Sequence, residues 1–384
     1  MRQPARTVLA AALVLGFGFA AGPLALPATA HHRSPAAVTA EKGGLGPDAA
    51  ALRAALAGLP DREVTAALVR VGGDGAWRGA AGVRDLRTGA PALEHGRFRA
   101  GSVTKLVTAA VVLQLAAEGK VDLDASAGVY LPELLTPAFE RPFTVRQLLN
   151  FTSGLRPGGS LGDTVEEGYP HRFETLTPRE VVAASVARGP ASAPGERQEY
   201  GNIHYTVLGM LIEEVTGDTY EHQAATRVLR PLGMRHTSFP GGPDPRLHGP
   251  HNRGYDWLGG RLVDVTEWNM SDRWAAGDMI STTADLERLV TALFGGKVVP
   301  EPWLEEFFTV PDVPGAAVAA GGMAPYDVNG REVWGKTGSR PGYQTVVAAT
   351  RDLSRTLVYC VNSTDAKGDA TGNVQRFAFP AFNR

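Results

Sequence analysis

The sequence predicts an α+β protein: an antiparallel β-sheet flanked by helices, with an all-helical domain inserted into it. Three observations predict it. Alternating apolar runs stand at both ends, in "EVTAALVRVGGDGAWRGAAGVRD" from Glu63 and in "REVWGKTG", "YQTVVAATRD" and "RTLVYCVNS". Helical patterns fill the middle, from Ser102 to about Phe239. Short turns join the later strands, which reads as an antiparallel meander.

Taken in order, residues 1–30 carry Arg2 and Arg6, an apolar core from Val8 to Ala21, and an A-x-A site at Ala28-Thr29-Ala30. They read as a secretory signal peptide cut near Ala30. The apolar run is too short and too broken for a membrane span. A secreted, periplasmic or cell-wall-associated protein without a transmembrane anchor is expected. Residues 31–45 read as a flexible tail. The sheet domain is expected over 46–120 and 270–384, and the helical domain over 121–269. Gly72-Gly73-Asp74-Gly75 marks a hairpin between the first two strands. "TVRQLLN" opens on a threonine cap, "NIHYTVLGMLIEEVTG" closes at Gly217, and "DTYEHQAATRVLRPLG" stops at Pro231. Residues 240–262, rich in Gly, Pro and His, read as a long loop. "TTADLERLVTALFGG" is an amphipathic helix with a threonine cap and a glycine stop.

Charge and cysteine content narrow the function. The chain has 38 basic and 40 acidic residues, which argues against nucleic acid as a partner. Its one cysteine, Cys360, reads as a small core residue in a buried strand, so no disulfide framework holds the fold. His31 and His32 fall in the tail, and His248 and His251 lie in a loop without a carboxylate at a metal-binding spacing. Neither a metal nor a cofactor is expected. Asn150-Phe151-Thr152, Asn269-Met270-Ser271 and Asn362-Ser363-Thr364 fit the glycosylation pattern by chance.

The stretch "AGSVTKLVTAAVV" carries the chemistry. Ser102 sits at the start of a helix that is apolar nearly all round, and Lys105 lies one turn on, on the same face. Both burial and the helix dipole disfavour an ammonium there. A base that works near neutrality needs its pKa about 3 below the ordinary value of about 10.4. Such a lysine could take the proton of Ser102 and make it a nucleophile. The alternative is a helix cap beside a lysine that reaches to solvent. Lysine is scarce here: only Lys42, Lys105, Lys120, Lys297, Lys336 and Lys367 occur, and arginine supplies the bulk positive charge. Arginine cannot lose its proton in a protein, whereas lysine can. Tyr200-Gly201-Asn202 precedes the next helix, and Lys336-Thr337-Gly338-Ser339 ends a strand, where an extended substrate could lie.

In this order, S-x-x-K, Y-x-N and K-T-G resemble the penicillin-recognising serine hydrolases, above all secreted D-alanyl-D-alanine carboxypeptidases and class C β-lactamases. The similarity extends through "FRAGSVTK", "VRQLLNFTSGL", "YGNIHYTVLGMLIEEVTG", "WAAGDMISTTADLERLVTALFGG" and "GKTGSRPGYQT". It implies a β-lactamase/transpeptidase-like fold with the site between sheet and helices. It implies Ser102 as the acyl-accepting nucleophile, Lys105 and Tyr200 as base and acid, and Lys336 tuning the field around Tyr200. Asn202 would contact the acyl-side amide, and Thr337 and Ser339 the substrate carboxylate, beside the small residue Gly338. The main-chain N–H groups of Ser102 and Ser339 would form the oxyanion hole.

The activity expected is hydrolysis of D-Ala-D-Ala peptide ends through an acyl-enzyme. A β-lactamase or promiscuous esterase on the same scaffold is the nearest rival, and a non-catalytic β-lactam-binding protein the rival of another class. Small peptides or β-lactams are the expected partners. Two departures stand out. Asn150 replaces a histidine frequent in relatives, and "AAVAAGGMAPYD" lacks the arginine that carboxypeptidases can place there as a carboxylate clamp. Arg340, in the turn "TGSRPG", is the substitute candidate; the alternative is a solvated turn arginine.

Overall fold

The computed structural model describes residues 46–134, 139, 141–240, 243–368 and 371–383. The expected signal peptide and the whole of the expected tail, with His31 and His32, lie outside the described residues. Among the described residues eleven strands run in chain order: β1 Val64–Gly73, β2 Trp77–Asp85, β3 Ala90–Pro91, β4 Phe98–Arg99, β5 Tyr255–Leu258, β6 Arg261–Asp264, β7 Ile280–Ser281, β8 Ala324–Val328, β9 Arg331–Arg340, β10 Tyr343–Ala349 and β11 Arg355–Ser363. Seven of them form one sheet in the order β3-β2-β1-β11-β10-β9-β8, antiparallel throughout. The first strand thus pairs with the last.

The nine helices are α1 Ala49–Leu56, α2 Thr104–Ala117, α3 Val145–Leu149, α4 Val165–Gly168, α5 Pro178–Val186, α6 Asn202–Thr216, α7 Tyr220–Ala224, α8 Thr283–Phe294 and α9 Thr371–Ala381, counted among the described residues. Their ends follow capping chemistry. Thr144 and Gln147 form a reciprocal capping box at α3, as Thr177 and Glu180 do at α5. The Thr282 side chain accepts from the Asp285 N–H at α8, and Gly217 closes α6 in the left-handed conformation.

Alternation along the strands splits the core. Leu68, Val358 and Cys360 face α2 and α8, whereas Val69, Val71, Leu357, Tyr359 and Val361 face α1 and α9. Strands buried on both faces explain the continuous apolar runs in the sequence. Cys360 is fully buried among them as a core residue. Helix α2 touches neighbours on all sides, including α6, α7 and the turn before β8.

Two elements differ from the sequence reading. The expected loop over 240–262 gives way from Tyr255 to the hairpin β5–β6, which turns at Gly259-Gly260 and runs on to Asp264. Strand β8 was not read from "APYDV"; Pro325 is tolerated because β8 is the sheet edge. Its pairing with β9 ends at Ala324 opposite Gly335. The second half of β9, residues 336–340, is therefore uncovered by β8, although β9 is not itself an outer strand. No helix among the described residues is long and apolar enough to cross a membrane.

Candidate active site

Ser102 stands in a 3-10 turn, Gly101–Val103, that runs into α2. Gly101 has φ of 53°, and a Cβ on it would lie 2.6 Å from the Ser339 nitrogen. A Cβ on Gly338 would lie 2.0 Å from the Ala100 carbonyl oxygen and 3.1 Å from the Ser102 nitrogen. The Ser102 turn and the open half of β9 therefore meet main chain to main chain. Only glycine on both sides permits it. The contact brings the main-chain nitrogens of Ser102 and Ser339 into the same neighbourhood.

Lys105 is fully buried, and its Nζ has three partners: Asn202 Oδ1 at 2.7 Å, the Ala276 carbonyl at 2.6 Å and Ser102 Oγ at 3.2 Å. Two of these can only accept. An ammonium could donate to all three, Ser102 Oγ included; a neutral amine could donate to Asn202 and Ala276 and accept from the Ser102 O–H. Burial pushes Lys105 well below its ordinary range, and repulsion from Lys336 and Arg340 adds to this. Burial and the neighbouring cations are what favour the uncharged amine.

Tyr200 leads into α6 through Gly201, the residue that caps it. Burial pushes its phenol above the ordinary range, against a side-chain hydrogen bond with Ser102 that pulls it back. It thus keeps its proton and can give it up only to a strong acceptor. Its ring lies 4.6 Å from that of Phe151, and the amines of Lys105 and Lys336 each stand 5.1 Å from its centroid. Lys336 Nζ donates to the Thr337 carbonyl at 2.7 Å, and burial pushes it down to about 7.

Ser102, Lys105, Tyr200, Asn202 and Lys336 thus converge. Along β9, Lys336, Gly338 and Arg340 are buried and alternate with half-buried Thr337 and Ser339, so the two sets face opposite ways. The Ser339 hydroxyl donates to the Ala366 carbonyl. Arg340 is no solvated turn residue: its exposure is 7%, and its Nε donates to the Ser339 carbonyl at 2.9 Å.

Three contributors escaped the sequence reading. The Ala276 carbonyl comes from the loop before β7, where Ala275 has φ of 52°. Phe151, at φ 62°, backs Tyr200. Arg273 is buried and donates to Ser160 Oγ at 2.8 Å, the Gly162 carbonyl at 3.0 Å and Asp163 at 2.6 Å. The available signal for Arg273 was an arginine set in the apolar context "SDRWAAGDM".

A family model described as Beta-lactamase matches residues 52–378. Among solved structures, the chain is similar to a D-stereospecific amidohydrolase from Streptomyces sp., with 31% identity and a TM-score of 0.74, covering 86% of this chain and 99% of that one. It is also similar to a D-amino acid amidase from Ochrobactrum anthropi complexed with D-phenylalanine, with 26% identity and a TM-score of 0.74, covering 86% and 98%. The esterase EstB of Burkholderia gladioli is 32% identical over 54% of this chain and 56% of its own length. The chain spans about half the length of the curated relatives it matches.

Proposed function

Since the chain belongs to the Beta-lactamase family and is a serine hydrolase of that superfamily, we propose that it is an exported D-alanyl-D-alanine carboxypeptidase acting on cell-wall peptides. The observation that carries the hydrolase part is the hydrogen-bond set of the buried Lys105, which holds its Nζ 3.2 Å from Ser102 Oγ. The peptide part is supported by the uncovered half of β9, against which an extended main chain can lie.

In this reading Ser102 Oγ attacks the scissile carbonyl as its proton passes to Lys105 Nζ. The N–H groups of Ser102 and Ser339 donate to the oxyanion. Collapse breaks the C–N bond, and the leaving amine takes a proton from Tyr200, which Lys105 restores. The product is a Ser102 ester. Water then attacks that ester, giving its proton to the same Tyr200–Lys105 pair; collapse breaks the bond between the acyl carbon and Ser102 Oγ, which takes that proton back as the acid product leaves. Asn202 holds Lys105 through Oδ1 and is left with its amide N–H groups to donate to the acyl-side carbonyl. Lys336 and Thr337 receive the leaving-group carboxylate.

A second reading is favoured by the structural neighbours: hydrolysis of D-amino acid amides or of small esters. Mass spectrometry separates the readings. The protein is mixed with penicillin, with a D-Ala-D-Ala peptide and with a D-amino acid amide. A stable penicillin adduct on Ser102 together with peptide turnover supports the carboxypeptidase. Fast penicillin turnover makes it a β-lactamase, amide turnover without peptide turnover makes it an amidase, and an adduct without any turnover makes it a binding protein.

A further inference from the structure

Arg340 is a buried cation with no carboxylate paired to it among the described residues. Apart from Ser339, the one hydrogen-bond partner of its guanidinium among the described residues is the Met270 sulfur, at 3.7 Å, and the guanidinium lies 3.9 Å from where a Cβ on Gly277 would stand. Gly277 follows Ala276, the residue that holds Lys105, so the guanidinium borders the site. Arg340 makes no ion pair among the described residues, although a buried arginine ordinarily has one. Arg273, nearby, differs: Asp163, Ser160 and Gly162 occupy it, and Asp272 stands 3.6 Å away.

A second cation lies beside Arg340. Lys367 is exposed and follows Ala366, whose carbonyl accepts from Ser339 Oγ and Gln344 Nε2. Its charged neighbours are led by Arg340 and Arg273. Lys367 likewise has no ion pair among the described residues. Arg340 follows Ser339 in the strand, and Lys367 follows the residue whose carbonyl Ser339 Oγ bonds, so both cations are held near Ser339. Like charges held together in this way are relieved by an anion from outside.

The position of this pair says which part of a substrate it meets. Thr337 and Arg340 are three residues apart on a strand, about 10 Å at ~3.4 Å per residue, and on opposite faces. The leaving group lies at the Lys336–Thr337 end in the reading above, so Arg340 and Lys367 stand at the acyl end. One group cannot serve both places. We propose that Arg340 and Lys367 form a second anion subsite, which takes a carboxylate on the acyl chain of the substrate. The inference rests on the serine-hydrolase reading and specifies its acyl-side chemistry: acidic acyl chains are favoured, and a free α-ammonium there is disfavoured.

Three nitroanilides test it: N-succinyl-D-alanyl, its neutral methyl-succinyl counterpart, and D-alanyl with a free amine. All three share one leaving group. The wild-type protein should prefer the succinyl over the methyl-succinyl compound in kcat/KM by about 10- to 100-fold, the size of one charged hydrogen-bond pair. The free amine should be the poorest. Arg340→Gln should bring the ratio of the first two close to one, and Lys367→Glu should lower it or invert it. Because Lys367 is exposed, the second variant decides alone if Arg340→Gln fails to fold. A wild-type ratio near one, or a ratio unmoved by Lys367→Glu, overturns the subsite. Equal acylation of Ser102 by all three compounds leaves the hydrolase reading standing without the subsite. No acyl group on Ser102 from any compound overturns both.

Discussion

Lys105 Nζ lies closer to Asn202 Oδ1, at 2.7 Å, than to Ser102 Oγ, at 3.2 Å. The partner that fixes the amine is thus 97 residues away in sequence, not the serine one turn before it. A neutral amide oxygen can hold a neutral amine without charging it. A carboxylate in the same place would stabilise the ammonium. Asn202→Asp should therefore lower kcat/KM at pH 7 by about 10- to 1000-fold, within the range for loss of a general base. Activity should return as the pH is raised. A uniform loss at every pH would point instead to a lost substrate contact.

Ser102→Ala should abolish acyl-enzyme formation, a loss on the order of 10⁴-fold or more in rate, with an unchanged melting curve. Lys105→Arg should be nearly as damaging as Lys105→Ala, because arginine keeps the charge and cannot accept the proton. Acylation kinetics with a chromogenic substrate check both. Activity in Lys105→Arg above about a tenth of wild type would assign Lys105 a purely electrostatic role.

The two lysines should set opposite limbs of the pH profile. Lys105 works uncharged, so the rate rises with pH through its depressed pKa. Lys336 works charged, so the rate falls as pH passes about 7 and its proton leaves. In Lys336→Arg the falling limb should move to much higher pH, since arginine stays protonated. A falling limb that stays in place would have to come from another group.

Gly338→Ala should separate the strand from the Ser102 turn, because its Cβ would stand 2.0 Å from the Ala100 oxygen, a main-chain atom that cannot swing aside. A cost of about 1–3 kcal/mol, typical of overpacking, is expected in urea unfolding. Acylation should fall by more than the stability change accounts for, because the two oxyanion donors part. Full activity in this variant would remove the Ser339 N–H from the oxyanion hole.

Asp278 is buried, its Oδ1 lacks a partner among the described residues, and burial pushes its pKa up to about 8. The folded state thus holds a proton there that the unfolded chain releases near pH 4. Folded protein binds more protons between about pH 4 and 8, so stability falls as pH rises through that window. Asp278→Asn should raise Tm, more at pH 8 than at pH 6, with the gap closing near pH 4. A gap independent of pH would show that Asp278 is ionised in the fold.

What the sequence revealed follows the range of the forces involved. Ser102 and Lys105 were legible because a helix fixes their spacing, and the strand set was legible from alternation. The β5–β6 hairpin was missed because Gly, Pro and His masked the short run "YDWLGGRLVD". The Ala276 carbonyl had no signal at all, since every residue has one and only the path of the loop selects it. Arg340 could not be placed from its turn context. What decides its burial is Met270 and Gly277, far off in the chain.

The pairing of β1 with β11 has a consequence for the order of events during synthesis. Residues 64–73 wait for residues 355–363 before their sheet is closed on that side. Ser102 and Lys105 emerge early, but Lys336 and the Ser339 nitrogen come more than two hundred residues later. A growing chain therefore carries its serine without the donors that make it reactive. Contacts between such distant segments are slow to form, so the chain becomes a hydrolase late and at once, when the closing strands join the opening one.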